Sequence, residues 1–539
     1  MVVMHMDSKR YTHIIVGAGS AGCLLANRLS SRPKNRVLLI EAGDWDNGFW
    51  LRLPVGYYKT MNNPKVSRHF ATEPSEGSGG RSINWPRGRV IGGSSSINGL
   101  IFIRGQHQNF DDWAALGNDG WSFNEVLPYF RKLENFNGGA SQFHGHHGEL
   151  QVSKLRNHHP DCVAWLEAAQ QYGLRSNDDF NAETTEGVGE YHLSIGARWR
   201  SSSARAFLAA AKNRENLDIM TNTLVARILF ENKHATGAEI IQDGQRRKVY
   251  ADAEVVLSAG SIQSPQILQL SGIGPGRLLQ KHGIDVLVDN VGVGQNLQDH
   301  YQMRTIVRMR SGASLNKQIR NPLSLVKMGL DWALRGRGAL TVGAGQVGGA
   351  MRTRFAPTDA PDLQLFVMPL SVDKPGEPLH RYPGFTSAIW QCHPKSRGLV
   401  EIATPDPAAN PKIQPNYLSH ALDQKTMVEG IKILREIYKQ PKFRELWESE
   451  IVPGNQIQTD SEILDAIRQG GGTVYHPVGT CKMGTDANAV VSPDLRVRGV
   501  TRLRVVDASI MPLITSANTN APTLMIAEKA ADMLLESCR

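Results

Sequence analysis

The sequence predicts an α/β protein of two domains, and three observations carry that expectation. The chain has 539 residues, more than one hydrophobic core normally serves. Its first informative stretch, THIIVGAGSAGCLLANRLSSRPKNRVLLIEAGD, sets two short apolar strands around a helix within the length of one βαβ unit. Further on, VVLSAGSIQSPQILQLSGIG again reads as a buried strand, Val255 to Leu257, then a Ser-Ala-Gly turn and a helix with Pro265 in its first turn.

Each part of the first stretch has a physical task. A strand from His13 to Val16 runs into Gly17-x-Gly19-x-x-Gly22, a helix follows through Leu29, and a second strand, Val37 to Ile40, ends at Glu41. Gly17 permits the tight turn, Gly19 lets backbone N–H groups approach a pyrophosphate, and Gly22 allows close contact between helix and strand. The helix N-terminus offers its positive dipole end to the anion. Glu41 can accept hydrogen bonds from ribose hydroxyls, and its charge repels a 2′-phosphate. Glycine-rich turns alone are a weak signal, but this full order is a strong one for a Rossmann-like dinucleotide site. It does not separate NAD from FAD, which share an ADP half.

Three later stretches add candidates. GRVIGGSSSINGLIFIRG, residues 88–105, sets paired glycines and three serines between apolar flanks that include Val90, Ile91, Ile97 and Leu100. That is the pattern of a buried loop packed on a flat or anionic ligand. VDASIMPLITSANTNAPTLMIAEKAADMLLE closes a strand at Asp507 and opens a helix near Pro522, running to about Leu535. YHPVGTCKMG places His476 five residues before Cys481. No second histidine or carboxylate stands there at ligand spacing, so no metal is expected. A hydrogen-bonded core histidine and a general base both fit, and nothing beside Cys481 favours a reactive thiolate.

Composition narrows the function classes. The formal charge is +9, but the basic residues are scattered without interleaved aromatics, which argues against nucleic acid. Anionic small molecules or peripheral contact with the inner membrane surface remain open. The N-terminal MVVMHMDSKR lacks the apolar core of a secretion signal, and no apolar run is long enough to cross a bilayer, so a cytoplasmic protein is expected. The five cysteines, Cys23, Cys162, Cys392, Cys481 and Cys538, form no CxxC spacing and read as reduced thiols. The segment 311–337 is basic and helical in pattern, which leaves a lid, a surface helix pair or an ordinary solvated face.

Together with VGVGQNLQDH at 291–300, these stretches resemble the glucose–methanol–choline (GMC) family of flavin-dependent oxidoreductases, in its bacterial choline-dehydrogenase-like and alcohol-dehydrogenase-like branch. The resemblance covers most of the chain, with the motifs in order. It implies FAD bound by a discontinuous Rossmann-like domain, and a substrate domain with a mostly antiparallel sheet and flanking helices. The first is expected at residues 10–155, 196–300 and 472–539, the second at 156–195 and 301–471. By resemblance, Gly17, Gly19, Ser20, Ala21, Glu41 and Ala42 hold the ADP half and Val225 the adenine. Val90, Asn98, Gly99, Leu100 and Ile101 line the flavin, Tyr475 flanks its ring, and Asp507 and Ala508 lie near the pyrophosphate and ribityl chain. His476 becomes the base and Asn520 its hydrogen-bonding partner in alcohol oxidation.

The resemblance leaves three activities: an alcohol dehydrogenase passing electrons to a quinone or other carrier, an oxidase using oxygen, and an FAD-containing lyase without redox turnover. Phe102, LQLFVMPL at 363–370 and IWQCH at 389–393 are expected to wall the substrate pocket and suit an apolar or aromatic alcohol; His393 there bears either on substrate polarity or on the surface. The oligomeric state is left open. Some family members link flavin covalently to a histidine at the position of Ile97, and isoleucine cannot form that bond. Acid precipitation is therefore expected to release the flavin into the supernatant; a yellow pellet with a colourless supernatant would show a covalent link.

Overall fold

The computed structural model describes residues 10–374 and 376–536; Cys538 and most of MVVMHMDSKR lie outside them. β1 (Arg10–Val16) and β2 (Val37–Ile40) pair in parallel and are joined by α1 (Ser20–Ser30). All of β2 and β1 from His13 onward are closely packed, as in a sheet covered on both faces. Gly17 takes a left-handed φ of 98°. A Cβ on Gly22 would stand 1.8 Å from the Gly17 carbonyl oxygen, so helix and turn touch only because that side chain is missing.

These strands form the middle of a seven-stranded sheet. Leu217–Met220 pairs with β2 in parallel. The strand Gln245–Leu257 is long enough to serve two neighbourhoods: its first half enters an antiparallel meander with His234–Gln242 and Thr223–Glu231. Its last residues lie parallel to β1 on one side and to Leu503–Val505 on the other.

The helix that follows spans Gly260–Leu270, so Pro265 is its sixth residue and lies beyond the first turn. Proline has no N–H to offer the carbonyl four residues back, that of Ser261. The Thr480 hydroxyl donates to that oxygen instead, at 2.6 Å, and so ties this helix to the block carrying His476.

The second sheet is antiparallel throughout, in the order Val347–Met351, Leu363–Met368, Gly384–Gln391, Tyr301–Met309 and Trp447–Val452; Gly472–Thr473 pairs with the start of Tyr301–Met309. The helix Ala421–Lys439 buries Met427, Ile431 and Leu434 and packs on Gly384–Gln391. Within the basic segment 311–337, Pro322–Arg335 is a surface helix, while the short Leu315–Gln318 buries Leu315 and Asn316. Cys23, Cys162, Cys392 and Cys481 are buried and unpaired in disulfides.

The C-terminal helix Asn520–Glu536 packs along α1. Glu528 on it is fully buried and receives Arg28 at 2.9 Å and Lys132 at 2.9 Å. Without Glu528, Arg28 keeps Glu149 at 2.6 Å and Lys132 keeps Asp532 at 3.1 Å, so what is lost is a set of charge-assisted hydrogen bonds in the interior. Glu528→Ala is therefore expected to destabilise the fold by about 2 kcal/mol, read as a lower midpoint in thermal or urea unfolding.

Candidate active site

One cavity is lined by residues from the stretches around Gly17, Gly93, Ser258, His476 and Asp507. Gly17, Gly19, Ser20, Ala21, Glu41 and Ala42 form one end, with Val225 close by in the lining; Asn98 to Ile101, Asp507, Ala508, Tyr475, His476 and Asn520 also face it. Val90 stands behind the wall, fully buried against Leu51 and Ile97. The shape suits a dinucleotide. A Cβ at Gly260 would meet nothing within 4 Å, and one at Gly19 only Ser258 at 4.0 Å, so the backbone there is open to a ligand. Gly93 sits directly on Gly19, where a Cβ would come to 2.7 Å of its α-carbon. Two helix starts, at Ser20 and Asn520, contribute to the lining and supply positive dipole ends.

The acids at this end are already oriented. Glu41 accepts from the Ala18 N–H at 3.0 Å and the Gly43 N–H at 2.8 Å, yet burial pushes its carboxyl up to about 7. Asp507 accepts from the Gly260 N–H at 2.9 Å, Ser264 Oγ at 2.6 Å and the Ser509 N–H at 2.8 Å. It thereby joins the Ser258–Gly260 turn to the C-terminal block.

His476 owes its position to an interrupted ladder. Gln298 pairs with Val478, and Tyr301 with Thr473. Between those pairs one segment has Asp299 and His300, while the other has Val474 to Pro477. The longer side must bulge, and it does so through Tyr475 at a left-handed φ of 68°. Strain of this kind at a non-glycine residue persists only where its surroundings enforce it. Here the Tyr475 N–H donates to Thr473 Oγ1 at 2.6 Å, its carbonyl accepts from Arg87 at 2.9 Å, and the His476 N–H donates to Asp299 at 2.7 Å.

The protonation of His476 follows from its neighbours. His300 Nε2 lies 2.9 Å from the Cys392 carbonyl oxygen, which can only accept, so His300 carries its proton on Nε2. Burial pushes His300 down to about 3, so the ring is neutral and its Nδ1 is a bare acceptor. His476 Nδ1, 2.9 Å away, must donate to it. Burial, with help from His300 and Arg87, also holds His476 well below the ordinary histidine value. Its Nε2 is therefore an unprotonated lone pair on the cavity side.

Asn518, and not Asn520, meets that lone pair: its amide Nδ2 donates to His476 Nε2 at 3.0 Å. The Asn518 Oδ1 is buried without a protein partner, the condition of a polar group made for a ligand. Asn520 is the first residue of the last helix and accepts from Ser20 Oγ at 2.8 Å, which turns it toward the α1 start. Asn518 precedes the helix. Two asparagines two residues apart in NTNAP look equivalent until the helix start is known. His300 and Asp299, within the quoted VGVGQNLQDH, also carry the geometry without having been assigned a task. Arg200 is a further addition: it is buried behind the loop that carries Asn98 and donates to Asn98 Oδ1 at 2.7 Å.

The opposite end of the cavity is lined by Phe366, Met368, Leu370, Val372, Trp390 and Val474, with Arg304 and Gln302 beside them. Phe102, expected in this wall, is packed in the core behind it. His393 is half-buried and not among the residues lining the cavity; Asn109 Nδ2 and His393 Nε2 bond at 2.8 Å, and desolvation lowers the ring to about 4. Cys481 is buried and its thiol is pushed well up, which removes it as a nucleophile.

Comparison with known proteins agrees with this arrangement. Models of the GMC oxidoreductase family match residues 11–302 and 394–527. An alcohol dehydrogenase [acceptor] of Pseudomonas putida is 40% identical over 97% of this chain and 96% of its own. Human mitochondrial choline dehydrogenase is 40% identical over 97% and 89%. Among solved structures, a pyridoxine 4-oxidase from Mesorbium loti superposes with a TM-score of 0.87 at 30% identity, covering 97% of this chain and 99% of that one. An FAD-dependent oxidoreductase from Chaetomium thermophilum gives 0.90 at 28% identity, covering 98% and 100%. The chain thus belongs to the GMC oxidoreductases, flavoenzymes that use FAD to oxidise alcohols.

Proposed function

We propose that this chain oxidises an uncharged, largely apolar alcohol with dissociable FAD and passes the electrons to a quinone or other carrier. The observation that carries the reading is the hydrogen-bond chain from the Cys392 carbonyl through His300 to His476, which leaves Nε2 unprotonated, its lone pair engaged by Asn518 until an alcohol hydroxyl takes that place. FAD, when bound, supplies the acceptor for the hydride of the alcohol carbon. His476 Nε2 takes the hydroxyl proton. Asn518 Nδ2 donates to the same oxygen and holds it in line as charge develops there. Gly19, Glu41 and Asp507 bind the dinucleotide, and Phe366 and Trp390 keep water from the reacting end.

The lining supports the substrate class. Among the described residues its only acids are Glu41 and Asp507, both at the dinucleotide end, while Arg87 acts on His476 and Arg304 on Tyr475. A quaternary ammonium alcohol prefers an aromatic cage with negative charge, and meets guanidinium groups here instead. The relatives divide over the acceptor: one at 40% identity is named for an unspecified acceptor, and another at 39% is named oxygen-dependent. Under anaerobic conditions, aromatic or long-chain primary alcohols are expected to bleach the flavin band faster than choline, and a quinone to restore it faster than oxygen does. Bleaching by choline alone would reverse the substrate reading, and faster restoration by oxygen the acceptor reading.

His476→Ala is expected to keep its flavin but slow alcohol-driven reduction by about 10²–10⁴-fold, the usual contribution of a positioned base. Asn518→Ala should slow it by about 10²-fold, as loss of one oriented donor does, whereas Glu41→Ala should first weaken FAD retention in gel filtration. Stopped-flow reduction by alcohol separates these three.

The pH profile carries a further check. A lowered pKa keeps His476 in its proton-accepting form as the medium becomes more acid, so the reduction rate should stay level through the ordinary histidine value of 6.5 and fall only below it. A half-maximal rate at or above 6.5 would remove His476 as the base.

A further inference from the structure

The helix Pro322–Arg335 contains no buried residue. A surface helix ordinarily turns its apolar stripe toward the core, and this one turns it outward. Leu323, Val326, Leu330 and Leu334 share one face by their spacing and are 79%, 60%, 52% and 76% exposed. The other face is held by Trp332. Its indole N–H donates to the Arg198 carbonyl at 3.2 Å, and its ring meets Trp199 and Phe49 edge-on, with centroids at 4.9 and 6.1 Å. The outward position of the leucines is therefore fixed by packing beneath them.

The charge around the stripe has one sign. Arg310, Lys317, Arg320, Lys327, Arg335 and Arg337 are exposed, and the one acid between residues 310 and 337, Asp331, pairs with Arg335 at 3.4 Å. Phe49 and Trp50, beside the helix base, add exposed aromatic surface. From them the chain runs through Pro54–Gly56, which touches Ala339–Thr341 just past the helix, to Tyr57, Tyr58 and Met61 in the cavity lining. The patch thus adjoins the cavity.

We propose that this face docks on an anionic lipid bilayer, with the Leu323–Leu334 stripe seated among the headgroups and acyl ends and the flanking basic residues on lipid phosphates. An apolar stripe edged with Lys and Arg beside aromatic rings is the chemistry of a helix lying in a membrane interface. A second copy of the chain would bring the same positive charges to the contact, which favours lipid as the occupant. The helix rests on the surface without spanning it, since among the described residues no helix is long and apolar enough to cross. Docking brings the cavity to the lipid, where apolar alcohols and quinones dissolve. The binding itself does not rest on the oxidation reaction.

The test is sedimentation of the FAD-loaded full chain, free of detergent, with vesicles of phosphatidylethanolamine and phosphatidylglycerol, against vesicles of phosphatidylcholine alone. The chain is expected to pellet with the anionic vesicles, and raised salt is expected to release it in part. The triple variant Leu323→Ser, Leu330→Ser, Leu334→Ser should lose binding by at least about ten-fold, given the apolar area removed. Lys317→Glu with Lys327→Glu should lose it chiefly at low salt. Both variants should keep the flavin absorbance and soluble-alcohol reduction rate of the parent. Failure of the parent to pellet, or equal pelleting of the triple variant, would overturn the proposal. A parent dimer in light scattering that the triple variant splits would also overturn it, since a second copy would then cover the stripe. Loss of alcohol oxidation with vesicle binding intact would count against the catalytic reading alone.

Discussion

The carboxylate of Asp299 lies buried under the wall of the cavity and accepts from the His476 N–H, from Thr473 Oγ1 at 2.6 Å and from the Tyr417 hydroxyl. Burial raises its carboxyl to about 6 even with these donors and the nearby Arg87. An acid so placed is expensive to bury and is retained by the partners it fixes. Through it the bulge at Tyr475 keeps its shape, the imidazole of His476 keeps its place against His300, and the first strand of the antiparallel sheet is joined to the C-terminal block. The site is therefore organised from a point with no chemical part in the reaction.

The two histidines illustrate how an ordinary residue becomes specific. Both rings are neutral in the resting site, and the backbone carbonyl of Cys392 sets the tautomer of both. A carbonyl cannot pass a proton onward. A proton arriving at His476 Nε2 must therefore leave again by the cavity, and the order in which oxidised alcohol and proton depart is constrained by the same opening.

Much of the fold was legible because its signals are local. The Gly17, Gly19, Gly22 turn and Glu41 sit within a single βαβ unit, so spacing alone dictates their geometry. The antiparallel sheet came through resemblance, since its order depends on Tyr301–Met309 pairing with Gly384–Gln391 and Trp447–Val452, which no local spacing links to it. The site was legible to the same degree. His476 stood out by its motif, whereas the exchange of Asn520 for Asn518 turned on where a helix starts, a boundary that sequence defines poorly. His300 went unassigned because its importance comes from Cys392, 92 positions away. Pro265 was placed in a first turn by propensity, and Thr480, from another part of the chain, made its interior position tolerable.

Leu503–Val505 lies in the same sheet as β1, and Arg28 reaches Glu528 500 residues later. The dinucleotide half of the molecule cannot close until nearly the whole chain has been made. At ribosomal rates of about 5–20 residues per second, the N-terminal strands wait roughly half a minute to a minute and a half for their last partner. During that time the apolar face of α1, and from about midway the edge of Gln245–Leu257, are open to other chains. The yield of this enzyme in a cell is thus set in part by the interval between synthesis of its first and last strands, and slower translation lengthens the exposure.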